Sequence, residues 1–262
     1  MRKYWTVFQV NWQNALQYRG PTFISILGNL LHISVLLYLW NAIYLSNQRL
    51  GNYTLSDLIT YYIIQLIINS MVLSYISWEI SDQISEGSFS NFLVKPVNYL
   101  HYWFTINLSG KLFEGLIILV VGAILSLLLI KHVSFPSNGL SLVYFIFSMI
   151  LGGLLAFEFD FAIGILAFWI VKVNSFKYML QYCIFFLAGA LLPLDLFPES
   201  FQVIANALPF RFLVFFPIQI FLEKETNPFP GFLIAMGWII FLYFFLQFAL
   251  RRGIARYEAV GK

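Results

Sequence analysis

Six long apolar segments dominate the sequence and restrict what it can fold into. They cover approximately residues 22–45, 58–78, 106–130, 141–171, 176–194 and 230–250. A helix needs about 20 apolar residues to cross a bilayer. Charged side chains make up only 10% of the chain, against about 25% in ordinary soluble domains. These features exclude a disordered chain, a nucleic-acid binder and a disulfide scaffold. They predict an all-α integral membrane protein with six transmembrane helices and one membrane domain, residues 1–262.

The distribution of Lys and Arg predicts that both termini lie in the cytoplasm, because basic residues concentrate in cytoplasmic loops. With both ends inside, the inner side carries Arg2, Lys3, Arg19, Lys95, Lys111, Lys172, Lys177, Arg251, Arg252, Arg256 and Lys262. The outer side then carries only Arg49, Lys131, Arg211 and Lys224. We therefore expect a multi-pass protein of a bacterial-type inner or plasma membrane.

The first twenty residues are amphipathic. Aromatic and apolar residues fall on one helical face (Trp5, Phe8, Trp12 and Leu16), and polar ones fall on the other (Thr6, Gln9, Gln13 and Gln17). This pattern is typical of a helix that lies in the headgroup layer. The alternative is that these are the first turns of a longer helix.

Prolines cluster before the last apolar segment, with six of the nine between residues 193 and 230. The apolar run 210–222 is short and is interrupted by Pro217, and a seventh span would move the basic C-terminus outside. Residues 193–229 are therefore predicted to form an outer cap of broken, re-entrant helices. Its candidate residues are Pro193, Phe197, Pro198, Pro209, Phe210 and Pro217.

Two acids, Glu158 and Asp160, lie deep in the fourth apolar segment. An ionised acid at the bilayer centre costs about 2.5–3.5 kcal/mol even on lenient scales. Asp160 shares a helical stripe with small residues, which favours a structural hydrogen bond at a helix contact, whereas Glu158 is the better candidate for a cavity or pathway wall. A protonated Glu158 packed against a neighbouring helix is an equal alternative.

The inner segment 79–105 carries an acidic helical face formed by Glu79, Asp82 and Glu86. Gly87 is expected to end that helix, and Pro96 ends the short apolar piece that follows it. A short helix and turn of this kind suits contact with a soluble partner, although an ordinary loop gives the same spacing. At the start of the third apolar segment, Lys111 and Glu114 are spaced to pair.

Motifs for catalysis and metal binding are missing from the sequence. Gly110-Lys111 lacks the upstream glycine of a phosphate-binding loop, and the three histidines have no ligand spacing with a second donor. We expect no catalytic residues, no metal and no cofactor on this chain.

An ordered set of motifs gives the chain a family resemblance. After the amphipathic start come Glu86-Gly87-Ser88 with Leu93-Val94-Lys95-Pro96, and then Ala167-Phe168-Trp169. Near the C-terminus follow Leu192-Pro193-Leu194, Leu196-Phe197-Pro198, Leu208-Pro209-Phe210 and Phe216-Pro217. In this order the motifs resemble the permease subunit of an ABC transporter of the type 2 (exporter) superfamily, in the branch of six-span permeases that work with a separate ATPase.

The resemblance implies a function and partners. Residues around Glu86, Gly87, Leu93, Lys95 and Pro96 would form a coupling helix that docks on ABC ATPase subunits, which would hold ATP and Mg. Residues 1–20 would be an interfacial connecting helix, and 193–229 would cap the pathway. A second permease, either the same or a related chain, would complete the pathway among membrane lipids. The alternatives are a membrane-embedded lipid-modifying enzyme and a non-transporting scaffold subunit.

Overall fold

Helices make up nearly all of the protein. The computed structural model describes residues 2–17, 20–45, 51–170 and 174–257. The helices are α1 (Arg2–Gln17), α2 (Gly20–Tyr44), α3 (Leu55–Met71), α4 (Ser77–Ser85), α5 (Ser90–Leu93), α6 (Tyr99–Leu128), α7 (Gly139–Ile165), α8 (Asn174–Leu187), α9 (Glu199–Ala207), α10 (Phe215–Phe221) and α11 (Phe229–Arg256). The helical share is 80%, and no strand occurs in these ranges. The all-α prediction is confirmed.

Among the described residues, four helices are long and apolar enough to cross a membrane. They are Ile26–Tyr44, Tyr99–Leu128, Gly139–Phe168 and Phe229–Arg256. The second and fifth predicted spans correspond to shorter helices, α3 with 17 residues and α8 with 14. At 1.5 Å per residue both are shorter than the roughly 30 Å hydrocarbon layer. Six crossings therefore remain a prediction.

Several helix boundaries differ from the sequence prediction: α8 ends at Leu187 instead of 194, and α11 continues to Arg256 instead of 250. Two further differences define the segment between α3 and α6. A capping box at Thr54 and Asp57 starts α3, which ends at Met71, so the chain leaves the helix before residue 78. The next long helix, α6, begins at Tyr99 instead of 106, because the Asn98 side chain accepts a hydrogen bond from the His101 N–H (3.2 Å). The inner segment therefore contains α4 and α5 over residues 77–98, called the α4–α5 segment below.

The N-terminal helix α1 packs beside the first part of α6. Lys3 Nζ donates to the Pro96 carbonyl (3.3 Å), and Asn11 Nδ2 donates to the Ile106 carbonyl (3.1 Å). The Trp12 ring packs edge-on against the Phe113 ring of α6. No residue of α1 is fully buried, and its contacts tie it to the end of the α4–α5 segment. Among the basic residues used to predict orientation, Arg19, Arg49, Lys172 and Lys262 lie outside the described residues.

Helix α7 is the central helix of the fold. It packs against α4, α10 and α11, and its contact with α4 is very close at Gly164. A Cβ added at Gly164 would lie 2.8 Å from both Ile80 Cβ and Ile80 Cγ2. The missing side chain therefore allows α4 to rest directly on the inner end of α7.

Replacing Gly164 by Ala is expected to lower the free energy of unfolding by about 1–3 kcal/mol, because the added methyl overpacks the α4–α7 contact. The matched control is Gly153→Ala on the same helix, where nothing lies within 4 Å of an added Cβ. That control should be neutral or more stable, by about 0.5–1 kcal/mol. Thermal unfolding of both purified variants in one detergent measures the difference, and equal melting temperatures would contradict this packing.

Candidate functional site

The α4–α5 segment has an apolar base. Phe89 is fully buried, and its ring centre lies 5.0 Å from that of Tyr99, 5.2 Å from that of Phe168 and 5.1 Å from that of Tyr257. Such edge-on ring contacts favour one fixed arrangement. Gly87 precedes this base with φ 82°, a left-handed conformation that permits the sharp turn after α4. The segment is therefore fixed to the start of α6 and to the C-terminal ends of α7 and α11.

The tip of the same segment is exposed. Val94 is 84% exposed and Leu93 is 49% exposed, although both are apolar. The charged side chains of Glu86 and Lys95 are exposed beside them, as is Pro96. Two adjacent exposed apolar side chains on such a turn are suited to a protein contact.

Asp160 joins α7 to the start of α4. The Ser77 N–H donates to Asp160 Oδ2 (2.9 Å), and the Ser74 hydroxyl lies 3.2 Å from the same oxygen. Ser74 Oγ also lies 3.0 Å from Asn107 Oδ1 on α6. Asp160 is only 5% exposed, so its carboxylate supplies an acceptor to a buried helix N-terminus that water does not reach.

Glu158 is equally buried, at 5% exposure, but is differently placed. Its Oε2 atom has no hydrogen-bond donor among the described residues. A cavity-lining role for Glu158 remains a prediction. The other acid, Asp160, lines a cavity of about 270 Å³.

This cavity lies between α7, α8 and the chain that follows α3. Its wall combines Asp160 with polar and aromatic side chains, namely Ser74, Tyr75, Tyr178, Gln181 and Tyr182. The Gln181 Nε2 atom is buried and meets no acceptor in the parts of the chain that are described. The site therefore has both an acceptor and a donor within an otherwise apolar region.

Lys177 on α8 contacts α4 from the other side. Its side chain is fully buried, and its Nζ atom donates to Ser81 Oγ and lies 3.9 Å above the centre of the Trp78 ring. Tyr178 packs against the same indole, with ring centres 4.7 Å apart. From the sequence, Lys177 was predicted only to be one of the basic residues on the inner side. Its partners lie almost a hundred residues earlier, so no local pattern indicates this contact.

The outer cap is tied to the start of α3 by a polar network. The Tyr53 hydroxyl donates to the Asp195 carboxylate (2.9 Å to Oδ2) and accepts from Gln219 Nε2. Lys224 forms an ion pair with Asp57 (3.2 Å) and lies 4.5 Å above the Tyr53 ring. Residues of the cap are thus held against α3, a connection that the sequence did not predict.

The end of the cap is also fixed to the start of α7. The Glu223 carboxylate accepts from Ser137 Oγ (2.7 Å), from the Asn138 N–H (2.9 Å) and from Ser141 Oγ (3.1 Å). These hydrogen bonds, with that from Ser137 the strongest, lower the pKa of Glu223 to about 2. Its charge therefore persists over the whole physiological range.

The candidate residues fall into two separate groups. Near the cap, Pro193, Pro209 and Pro217 are buried and Pro198 is exposed. Phe197 packs on Phe201 and Phe186, and Phe210 packs on Phe159 of α7.

The predicted ion pair between Lys111 and Glu114 on α6 is confirmed, with a distance of 3.1 Å between Lys111 Nζ and Glu114 Oε2. The coupling candidates gather at the other end of α7, with Asp160 between the two groups along the helix.

Asp160→Leu is expected to lower the free energy of unfolding by about 1–3 kcal/mol, because the buried Ser77 N–H loses its acceptor. Amide hydrogen exchange within Ser77–Ser85 should accelerate in the same variant. Glu158→Leu is the matched control, since Glu158 Oε2 accepts no hydrogen bond from the described residues. Thermal unfolding and exchange are measured together, and an unchanged exchange rate in Asp160→Leu would show that the acid does not hold α4.

Comparison with known proteins identifies a family. The model of the ABC-2 family transporter proteins matches residues 30–261, which leaves only α1 and the first turns of α2 outside the match. No curated protein and no solved structure matches the chain. In the described ranges, no group of three or more His, Cys, Asp or Glu residues is arranged to hold a metal ion. The match covers most of the chain, and the long apolar helices agree with a membrane component of a transport system. The chain belongs to the ABC-2 family of transporter proteins.

Proposed function

We propose that this chain is the permease subunit of an ATP-driven exporter and forms half of its translocation pathway. It has no catalytic activity of its own in this proposal. ATP and Mg bind to separate ABC ATPase subunits, and a second permease, either the same or a related chain, supplies the other half. The membrane is crossed six times, with α3 and α8 as the short crossings and both termini in the cytoplasm.

The observation that carries the proposal is the α4–α5 segment. Its base is fixed by Phe89, whereas Leu93 and Val94 project into water. A rigid support with an apolar tip can transmit a push without bending, as docking on a moving partner requires. Glu86 and Lys95 beside the tip add opposite charges that can fix the orientation of a bound subunit.

The pathway is assigned to the side of the chain where α7 and α8 form the cavity. Asp160 and Gln181 provide polar groups there, and the outer cap lies beyond them along α7. The network from Tyr53 to Asp195 and Gln219 holds the cap closed over the pathway in this proposal. Membrane lipids cover the remaining apolar faces. Export follows from the family resemblance and from an outer surface formed by the cap.

The test is affinity purification of the tagged chain from native membranes. We expect a second chain, labelled by a photoreactive ATP analogue, to co-purify with it. The double variant Leu93→Ser/Val94→Ser should weaken this association by about tenfold or more, since fully burying a Leu or Val side chain contributes about 1.5–3 kcal/mol.

The matched control is Val203→Ser/Ile204→Ser, which changes another pair of adjacent exposed apolar residues, on α9 in the outer cap. It should retain the ATP-binding partner at the wild-type level. Recovery of the wild-type chain without any ATP-binding partner would overturn the proposed function. Equal losses in the two double variants would refute docking at the tip.

A further inference from the structure

Two polar side chains, Asp160 and Lys177, hold α4 to α7 and α8. Asp160 on α7 accepts the Ser77 N–H at the start of α4. Lys177 on α8 reaches Ser81 and Trp78 in the middle of α4. The helices that supply these two residues both line the 270 Å³ cavity. A displacement of α4 would therefore reach the cavity by two routes.

The contact between α4 and α8 depends mainly on Lys177. The contact between α4 and α7 depends on no single side chain. Helix α7 packs on α4 over a broad surface that includes the close approach of Gly164 to Ile80. The connections found between α4 and α8 are the Lys177 hydrogen bond, its ammonium above the indole of Trp78, and the Tyr178 ring on the same indole. Without Lys177, the stacking of Tyr178 on Trp78 is the contact that remains among these.

The burial of Lys177 gives this contact its strength. Its side chain has no exposed surface. No carboxylate lies within 4.0 Å of its Nζ atom in the described part of the chain, although Asp82 on α4 and Asp160 on α7 attract its charge from farther away. A buried ammonium is expensive unless its contacts are kept. A cation that lies over a Trp ring is attracted by the negative face of the ring. Helix α8 therefore loses a favourable interaction if α4 moves away from it, and moves with α4 instead.

We propose that Lys177 is a positioning residue that transmits movement of the α4–α5 segment to α8, and so to the cavity wall that carries Tyr178, Gln181 and Tyr182. The inference rests on the proposed function, because the ATPase supplies the movement. Lys177 itself contacts neither nucleotide nor the exposed tip. Its role is to make the position of α8 depend on the position of α4.

The chain contains a natural reporter for this movement. Cys183 is its only cysteine, and it is exposed on α8 among the residues that follow Lys177. The rate at which a maleimide alkylates Cys183 therefore reports the surroundings of α8. The experiment uses the complex of the full chain with its ATPase. It compares the nucleotide-free complex with the complex trapped by ATP and vanadate, and the alkylated permease is quantified as an intact chain.

We expect trapping to change the Cys183 alkylation rate in the wild-type complex by about threefold or more, as for a modest population shift between two states. Lys177→Met keeps the apolar length of the side chain and removes the charge, so the change on trapping should disappear. Lys177→Arg keeps both the cation and its position over Trp78 and should restore it. Ser81→Ala removes the hydrogen-bond acceptor alone and should reduce the change partially.

Lys111→Met is the matched control, because Lys111 is also largely buried but pairs with Glu114 on α6. It should respond to trapping as the wild type does. A Lys177→Met complex that keeps its ATPase and shows the full wild-type change would overturn the inference and leave the proposed function intact. A wild-type chain that binds no ATPase would overturn both. If Lys177→Met does not fold, Ser81→Ala is the test variant. A change in its Cys183 alkylation rate on trapping that equals the wild-type change would contradict the proposed role of Lys177.

Discussion

The hydrogen bond from the Ser77 N–H to the Asp160 carboxylate is the contact on which the inner half of the structure depends. The first N–H groups of a helix have no partner within the helix. In a protein surrounded by lipid, water does not replace a missing acceptor, so a buried helix must find one in the protein. Asp160 provides it, and the Ser77 N–H in turn stabilises the Asp160 carboxylate. The buried Asp160 carboxylate and the first turn of α4 thus stabilise each other.

This pairing explains how a short polar segment can be held firmly against an apolar bundle. Helix α4 has its start fixed by Asp160, its middle fixed by Lys177 and its end followed by the buried ring of Phe89. Each contact reaches a different membrane helix or helix end. The outer cap is organised on the same principle, since Tyr53 and Glu223 bind it to α3 and α7 through buried or charge-assisted hydrogen bonds. Short helices at both ends of the protein are therefore held by a few directional contacts, and the long apolar helices between them by packing.

The sequence predicts the helical membrane class and the places where helices break. Apolar length identifies α2, α6, α7 and α11, and proline and glycine mark the cap and the turn at Gly87. The bounds of α3 and α6 were less predictable. The start of α6 at Tyr99 depends on a cap by Asn98 within a mixed aromatic and polar stretch that has no clear period. The contacts of Lys177 and Tyr53 could not be predicted, because their partners are distant in sequence and are brought close only by the fold. A structural hydrogen bond of Asp160 at a helix contact was predictable from its stripe of small residues, whereas its partner at the start of α4 was not.

The proposed function requires that the tip formed by Leu93 and Val94 faces the cytoplasm, where an ATPase can reach it. The most direct measurement is the reaction of a cysteine placed at Val94 with a membrane-impermeant maleimide, in a background where Cys183 is replaced by Ser. In intact cells the Val94→Cys protein should stay unlabelled, and it should react after the membrane is permeabilised. A cysteine at the exposed Asn227 of the outer cap should react in intact cells and shows that the reagent is active. Labelling of Val94→Cys from outside intact cells would contradict the account.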